Sequence, residues 1–172
     1  MQRVIVSCLE QVPRLAARYR PDRLLSIAAA PPTPPDLAPS RHLILNFADI
    51  DNPTGRNIGL AAGADDIATI RSLASVDRVL INCKQGQRRS PTAALILLTT
   101  IYPNQSTGIA TWIRDKAPYV DFNPWMLCVA DIDPASIPAA KEPRRPPPRG
   151  CFFVLDVVDA PVPDPSQHWA CQ

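Results

Sequence analysis

Long apolar runs are missing from this chain. Nothing in it approaches the roughly 18 consecutive apolar residues of a membrane helix, so no membrane span is expected. Paired metal-ligand motifs are missing too. The five cysteines, Cys8, Cys83, Cys128, Cys151 and Cys171, form no CxxC pair, and only His42 and His168 are available as nitrogen donors. That leaves no zinc-type ligand set, and neither a metal nor another cofactor is expected. An odd number of widely spaced cysteines is not a disulfide framework and fits a reducing, cytoplasmic setting. Neither sign of charge dominates: the formal net charge is +2 over 172 residues. A nucleic-acid partner is therefore not expected, and any preference for anions has to come from local clustering. The opening MQRVIVSCLEQ has too short an apolar run before Glu10 to read as a secretory signal.

Proline, by contrast, is abundant: 21 residues, concentrated at Pro31–Pro39 and Pro134–Pro148. Between and before these stretches, apolar runs alternate with helical patterns. Strands are expected at RVIVSC (3–8), DRLLSIAA (22–29), RHLILNFADID (41–51) and RVLIN (78–82). Helices are expected after the first strand, from about Ile58 to Ser75, from Ser90 to about Ile101, from Ser106 to Lys116, and from Asn123–Pro124 to about Ile132. Ser90 is the expected cap of its helix, with Pro91 in the first turn. This alternation implies an α/β domain with a central, mostly parallel sheet of four to five strands flanked by helices. Residues 1–133 form the expected catalytic domain. Residues 134–172 read as a Pro-rich linker, with Arg144, Arg145 and Arg149 as a solvated stretch, and an extension in which CFFVLDVV (151–158) either adds an edge strand or packs on the domain, with a disordered tail as the alternative.

The chemistry concentrates in RVLINCKQGQRRSPTAALILL, residues 78–98. In a parallel α/β sheet, ligands bind beyond the carboxyl ends of the strands, where Cys83 falls. Its loop leads directly into a helix N-terminus, where unpaired N–H groups and the helix dipole attract anions. Gly86 lets the backbone curl so that successive amides of Lys84, Gln85, Gly86, Gln87 and Arg88 point inward as an anion nest. Arg89 brings a fork for two oxygens of a bound phosphate. Such a positive setting favours thiolate over thiol, so the feature that cradles a phosphate also makes a nucleophile, and the chemistry implied is covalent phosphoryl transfer.

Cys83, Gly86, Arg89 and Ser90 reproduce a Cys–five residues–Arg–Ser signature. Here the chain resembles the cysteine-based tyrosine and dual-specificity phosphatases, and SPTAA (90–94) resembles the helix start of the dual-specificity branch. The strand–acid–helix–strand–loop order from Arg41 to Ile101 resembles small bacterial members. The resemblance spans roughly residues 1–132 and implies a dual-specificity phosphatase-like fold and a phosphomonoester hydrolase. Cys83 would attack phosphorus, and the amides of 84–89 with the Arg89 side chain would hold the oxygens. Ser90 would hydrogen-bond the sulfur. Two features depart from the family: Asn82 stands where His usually precedes the cysteine, and Arg88 occupies a position often small or polar.

Ester cleavage also needs a proton donor for the leaving group. NFADIDNPTG (46–55) offers Asp49 and Asp51 past the third strand. FADI looks more like the family's acid position, so Asp49 is preferred, although in an extended chain both residues share a face. Asn123 resembles an asparagine near this place in relatives, and an N-cap accounts for it equally well. Cys128 reads as a buried filler. The expected substrate is a phosphorylated protein or a small phosphoester. Two other readings stay open: a rhodanese-like sulfurtransferase, for which Arg88 supplies a four-residue spacing, and a catalytically weak phosphate-binding module, which Asn82 keeps open.

Overall fold

The computed structural model describes residues 2–140 and 146–160. Arg144, Arg145, His168 and Cys171 lie outside these residues, so the expected 134–172 extension is described only in part.

Five strands form one sheet: β1 (Arg3–Cys8), β2 (Arg23–Ile27), β3 (His42–Leu45), β4 (Arg78–Cys83) and β5 (Phe152–Asp156), in the order β3-β2-β4-β1-β5. The first four are mutually parallel, and β5 runs antiparallel to β1 at the edge. An ion pair between Arg3 and Asp156 joins β1 to the edge strand β5 at the end of the pair away from Cys8. The helices are α1 (Val12–Tyr19), α2 (Ala64–Ser72), α3 (Arg89–Ile101), α4 (Ser106–Lys116) and α5 (Pro124–Val129). Among the described residues, no helix is long and apolar enough to cross a membrane.

Two apolar layers follow from the period-2 alternation of the strands. Val4, Val6, Leu25, Ile27, Val79 and Ile81 face the larger layer, formed by α2 to α5. Ile5, Leu24 and Leu80 face the other way, against Val12, Leu15 and Ala16 of α1 and Leu37 of the Pro-rich segment. The central β4 is buried on both faces, which is why VLI reads as a continuous apolar run. Helix α3 is buried continuously from Ser90 to Leu98, the pattern of a helix enclosed by sheet and neighbouring helices.

Two helix ends differ from expectation by several residues, each for a local reason. The helix expected from Ile58 starts at Ala64. There the Gly63 N–H donates to Asp66 Oδ2 at 2.8 Å, fixing the first turn, while Gly55–Leu60 is a 3-10 turn. Ile58 and Leu60 are each 59% exposed, so no core face draws them into the helix. Helix α5 stops at Val129 rather than near Ile132, because the chain turns at Asp131 with φ +57°. Cys128, expected to be buried, is exposed on α5.

The face covered by α1 carries a polar chain. Ser26 Oγ donates to Asn82 Oδ1 at 2.7 Å, His42 Nε2 lies 2.8 Å from Ser26 Oγ, and Thr33 Oγ1 lies 2.8 Å from His42 Nδ1. Because the Ser26 proton is committed to Asn82, the neutral tautomer with Nε2–H donating and Nδ1 accepting completes the chain. Burial lowers the His42 pKa below its ordinary 6.5. A folded-state pKa below the unfolded one means that the unfolded chain binds the proton first, so stability is complete above about pH 6.5 and declines as pH falls below it. Thermal melts from pH 8 to pH 5.5 are expected to show a falling midpoint, with a shallower fall in His42→Gln; equal slopes in the two proteins would remove His42 as the cause.

Candidate active site

Strands β1 and β4 are neighbours, but their chains leave the sheet for opposite faces: β1 leads to α1 and β4 to α3. This divergence opens a crevice beyond their carboxyl ends, the usual ligand position in parallel α/β sheets. Cys83 is the last residue of β4, in register with Cys8 at the end of β1, and is 3% exposed.

The loop after Cys83 is pressed down onto the end of β1. Gly86 has φ +69°, and a Cβ there would lie 2.6 Å from Cys8 N and 2.8 Å from Ser7 C. Both contacts are with backbone, which cannot swing aside, so the position needs glycine for its conformation and for its clearance. Neighbouring segments hold the rest of the loop. Leu9 N–H donates to the Lys84 carbonyl at 3.4 Å, Cys151 Sγ to the Gln85 carbonyl at 3.1 Å, and Asp121 N–H to the Gln87 carbonyl at 3.2 Å. Gln87 Nε2 donates to the Tyr119 carbonyl at 3.2 Å. With carbonyls of Lys84, Gln85 and Gln87 engaged on the outside, the loop takes the form of a turn braced from behind. Lys84 and Gln85 are exposed.

Helix α3 begins at Arg89, one residue before the expected start, and Ser90 makes no capping bond. The Ser90 side chain is fully buried, and its Oγ donates to Cys83 Sγ at 3.2 Å. A hydroxyl donated to sulfur stabilises negative charge there. Arg89 Nη1 donates to the Phe47 carbonyl at 2.9 Å, and its buried Nε has no partner among the described residues. The guanidinium is thus braced on one side, with a donor left over.

Arg88 points elsewhere, to three carboxylates: Nη1 lies 3.4 Å from Asp49 Oδ1, Nη2 donates to Asp51 Oδ1, and Nε lies 3.2 Å from Asp121 Oδ2. Burial works against its charge, but the hydrogen bond to Asp51 and the attraction of Asp49, Asp51 and Asp121 raise its pKa overall. Asp49 is the more enclosed of the two candidate acids, at 30% side-chain exposure against 48% for Asp51. Asn123 Nδ2 donates to Asp49 Oδ1 at 2.8 Å and to the Ile50 carbonyl at 3.1 Å, while its Oδ1 caps α5 by accepting from Met126 N at 2.8 Å. The N-cap of α5 thus also holds the Asp49 segment. Its own N–H donates to Thr92 Oγ1 at 2.8 Å, and Thr92 Oγ1 donates to the Arg88 carbonyl at 2.7 Å, so cap, acid segment and loop are coupled.

The structure thus gathers Cys83, Arg89, Ser90 and the loop 84–88, with Asp49 and Asp51 attached through Arg88. Asn82 lies apart: adjacent strand residues face opposite ways, and its buried side chain joins Ser26 on the α1 side, its Nδ2 without a partner among the described residues. Sequence reasoning did not find Asp121, whose link to Arg88 spans 33 residues with no pattern to announce it. Nor did it find that Cys8 and Cys151 lie together. Burial, and next the nearby Cys8, pushes the Cys151 thiol up to about 11, and burial together with Cys151 raises the Tyr119 hydroxyl. A cleft of ≈ 530 Å³ adjoins the site and is lined by Asp51, Arg88, Asp121 and Phe122, among others. A cavity of ≈ 790 Å³ around Arg20, Arg41 and Arg78 lies at the other end of β4 and shares no residue with the site.

The architecture is that of a mixed α/β domain with a five-stranded central sheet flanked by helices, consistent with a dual-specificity phosphatase-like fold. A solved structure of human DUSP28, a single-residue variant, shares it with a TM-score of 0.56 and 15% identity, covering 74% of this chain and 86% of that one. No protein-family model and no curated protein matches the chain.

Gly86→Ala is expected either to hold alanine in a left-handed conformation it disfavours or to force the loop off β1. The first alone costs about 1–2 kcal/mol, so the melting midpoint should drop by at least about 2–4 °C and binding of inorganic phosphate or vanadate should be lost; an unchanged midpoint with intact binding would show that the loop does not depend on this contact.

Proposed function

We propose that this chain is a phosphomonoester hydrolase, a protein-tyrosine or dual-specificity phosphatase acting through a phosphocysteine intermediate. The observation that carries the reading is the loop from Cys83 to Arg89, curled by Gly86 against β1, with the Ser90 hydroxyl on the sulfur and the Arg89 guanidinium braced on Phe47. Phosphoryl transfer requires mainly positioning and charge stabilisation around three equatorial oxygens, and amides plus a fixed guanidinium are suited to that.

In the first step the Cys83 thiolate attacks phosphorus in line with the leaving oxygen. A sulfur–phosphorus bond forms, the phosphorus–oxygen bond breaks, and Asp49 delivers a proton to the departing oxygen. In the second step water attacks the phosphocysteine and gives its proton to Asp49. Cys83 leaves as thiolate, and the Ser90 hydroxyl stabilises the charge returning to sulfur. Asn123 and Arg88 are positioning residues: they hold the Asp49 carboxyl by hydrogen bond and ion pair without touching the reacting atoms. The greater enclosure of Asp49 and its Asn123 bond favour it over Asp51.

The sulfurtransferase reading loses support, because Arg88, which supplies its four-residue spacing, is turned to Asp49, Asp51 and Asp121. Human DUSP28 has a name that fits the phosphatase reading, and the substrate carried over is a phosphorylated protein or a related small phosphoester.

Hydrolysis of p-nitrophenyl phosphate should be abolished in Cys83→Ser. Asp49→Ala should lose about 10²–10⁴-fold, with a larger loss on phosphotyrosine, whose phenol leaves less readily, than on p-nitrophenyl phosphate. Asp51→Ala should lose much less. Mass spectrometry of quenched Asp49→Ala should find a phosphoryl group on the Cys83 peptide. Absence of both turnover and adduct across several phosphoesters would leave a phosphate-binding module instead.

A further inference from the structure

The cavity of ≈ 790 Å³ lies at the start of β4, and Cys83 at its end. Arg78 and Cys83 are separated by about 16 Å of strand, so a group bound there is out of reach of the sulfur. Besides Arg78, the walls come from the end of α1 with Ala16, Arg20 and Pro21, from Asp36 and Leu37 of the Pro-rich segment, and from Arg41 just before β3. Three guanidiniums therefore face a single lining carboxylate. Asp22 stands behind Arg78: its Oδ1 accepts from Nη2 at 2.9 Å, and its Oδ2 from Nε at 3.2 Å and from the Arg78 N–H at 3.1 Å. That pins the Arg78 fork. Neither the Arg20 nor the Arg41 guanidinium has a hydrogen bond or close ion pair among the described residues.

Arg20 caps the end of α1 with φ +46° and ψ +62°, and its N–H donates to the Ala16 carbonyl at 2.9 Å. Glycine is the usual residue for this left-handed position, and a side chain there is strained. Pro21 restricts the residue before it further. The negative end of the α1 dipole attracts cations. That accounts for Arg20 but not for Arg41 and Arg78, which other segments bring in.

We propose that this cavity is a second anion site that binds a small organic phosphate. Arg20, Arg41 and Arg78 hold the phosphoryl dianion, and the apolar body of the ligand rests on Ala16, Pro21 and Leu37, all three buried. Guanidinium forks suit phosphate oxygens, and the volume falls within the range of small-molecule sites, where apolar walls carry a few placed polar groups. A bound dianion offsets the mutual repulsion of the three guanidiniums, and gives the strained Arg20 side chain a use that glycine would not have. Asp36 disfavours a second anionic group and can accept a hydrogen bond from a hydroxyl. A monophosphate with hydroxyls on its body therefore fits better than a bisphosphate. Because the cavity shares no residue with the Cys83 loop, the site is independent of the hydrolase reading.

The test titrates phenylphosphonate, whose carbon–phosphorus bond an esterase does not cleave, into the full nitrogen-15-labelled chain. Two sets of resonances should shift, each with its own saturation curve: the amides of 84–89, and the Arg78 Nε–H with the Leu37 N–H. In the double variant Arg20→Gln, Arg41→Gln the second set should need at least about tenfold more ligand, while the first is unchanged. Inorganic phosphate should move the second set more weakly than phenylphosphonate, since it brings no apolar body; equal affinity would overturn the organic ligand. Arg20→Gly separates binding from folding. Glycine relieves the left-handed strain, so the melting midpoint should equal or exceed that of the parent while affinity at the second set falls about tenfold. Unchanged affinity in Arg20→Gly and in the double variant, or shifts confined to 84–89 when the loop is saturated, would overturn the site. A second set without any response of the loop keeps this site and removes the phosphate cradle from the hydrolase reading.

Discussion

The site depends on one close approach, that of the loop backbone at Gly86 to the end of β1. A parallel strand pair ends in exposed amides and carbonyls that any following loop is free to leave. Here the loop instead lies so close to Ser7 and Cys8 that no side chain fits between them. That contact decides which way the peptide groups of 84–88 turn. Their outer carbonyls are then taken up by Leu9, Cys151 and Asp121, from three different parts of the chain. Preorganisation of this kind is what electrostatic catalysis requires, because dipoles already fixed need no reorientation as charge develops.

A second constraint couples this loop to the segment carrying the acids. Arg88 is part of the loop by its backbone and part of the acid segment by its side chain. Arg89 repeats the arrangement through the Phe47 carbonyl. With Asp121 and Asn123 added from before α5, three chain segments meet over the crevice. The Arg88 side chain is a structural tie, while Arg89 is braced on the Phe47 carbonyl, so the two adjacent arginines have different tasks.

Much of this was legible in the sequence where a local rule governs. The apolar run of β4 shows burial on both faces, the Asn123–Pro124 pair marks a helix start, and the bounds of α4 follow from periodicity. Legibility ends where a distant partner decides. Ser90 reads as a cap, yet its hydroxyl serves the sulfur, because α3 begins one residue earlier and turns that side chain inward. Ile58 and Leu60 match a helical pattern but have no layer to pack on. Asp49 and Asp51 are equivalent in an extended chain, and what distinguishes them is the reach of Asn123 across 74 residues together with the deeper position of Asp49. The proximity of Cys8 to both Cys83 and Cys151 depends on strand order, which no spacing encodes.

The antiparallel β5 has a consequence for self-association. Without it, β1 would present a six-residue ladder of unpaired amides and carbonyls at the rim of the sheet, directly beside the loop. Strand β5 moves that rim outward by one strand. The sheet now terminates in β5 and β3, of five and four residues. Short borders of this length offer little template for strand addition by another chain, so the segment appended after α5 shields the most order-dependent part of the molecule from intermolecular β-pairing.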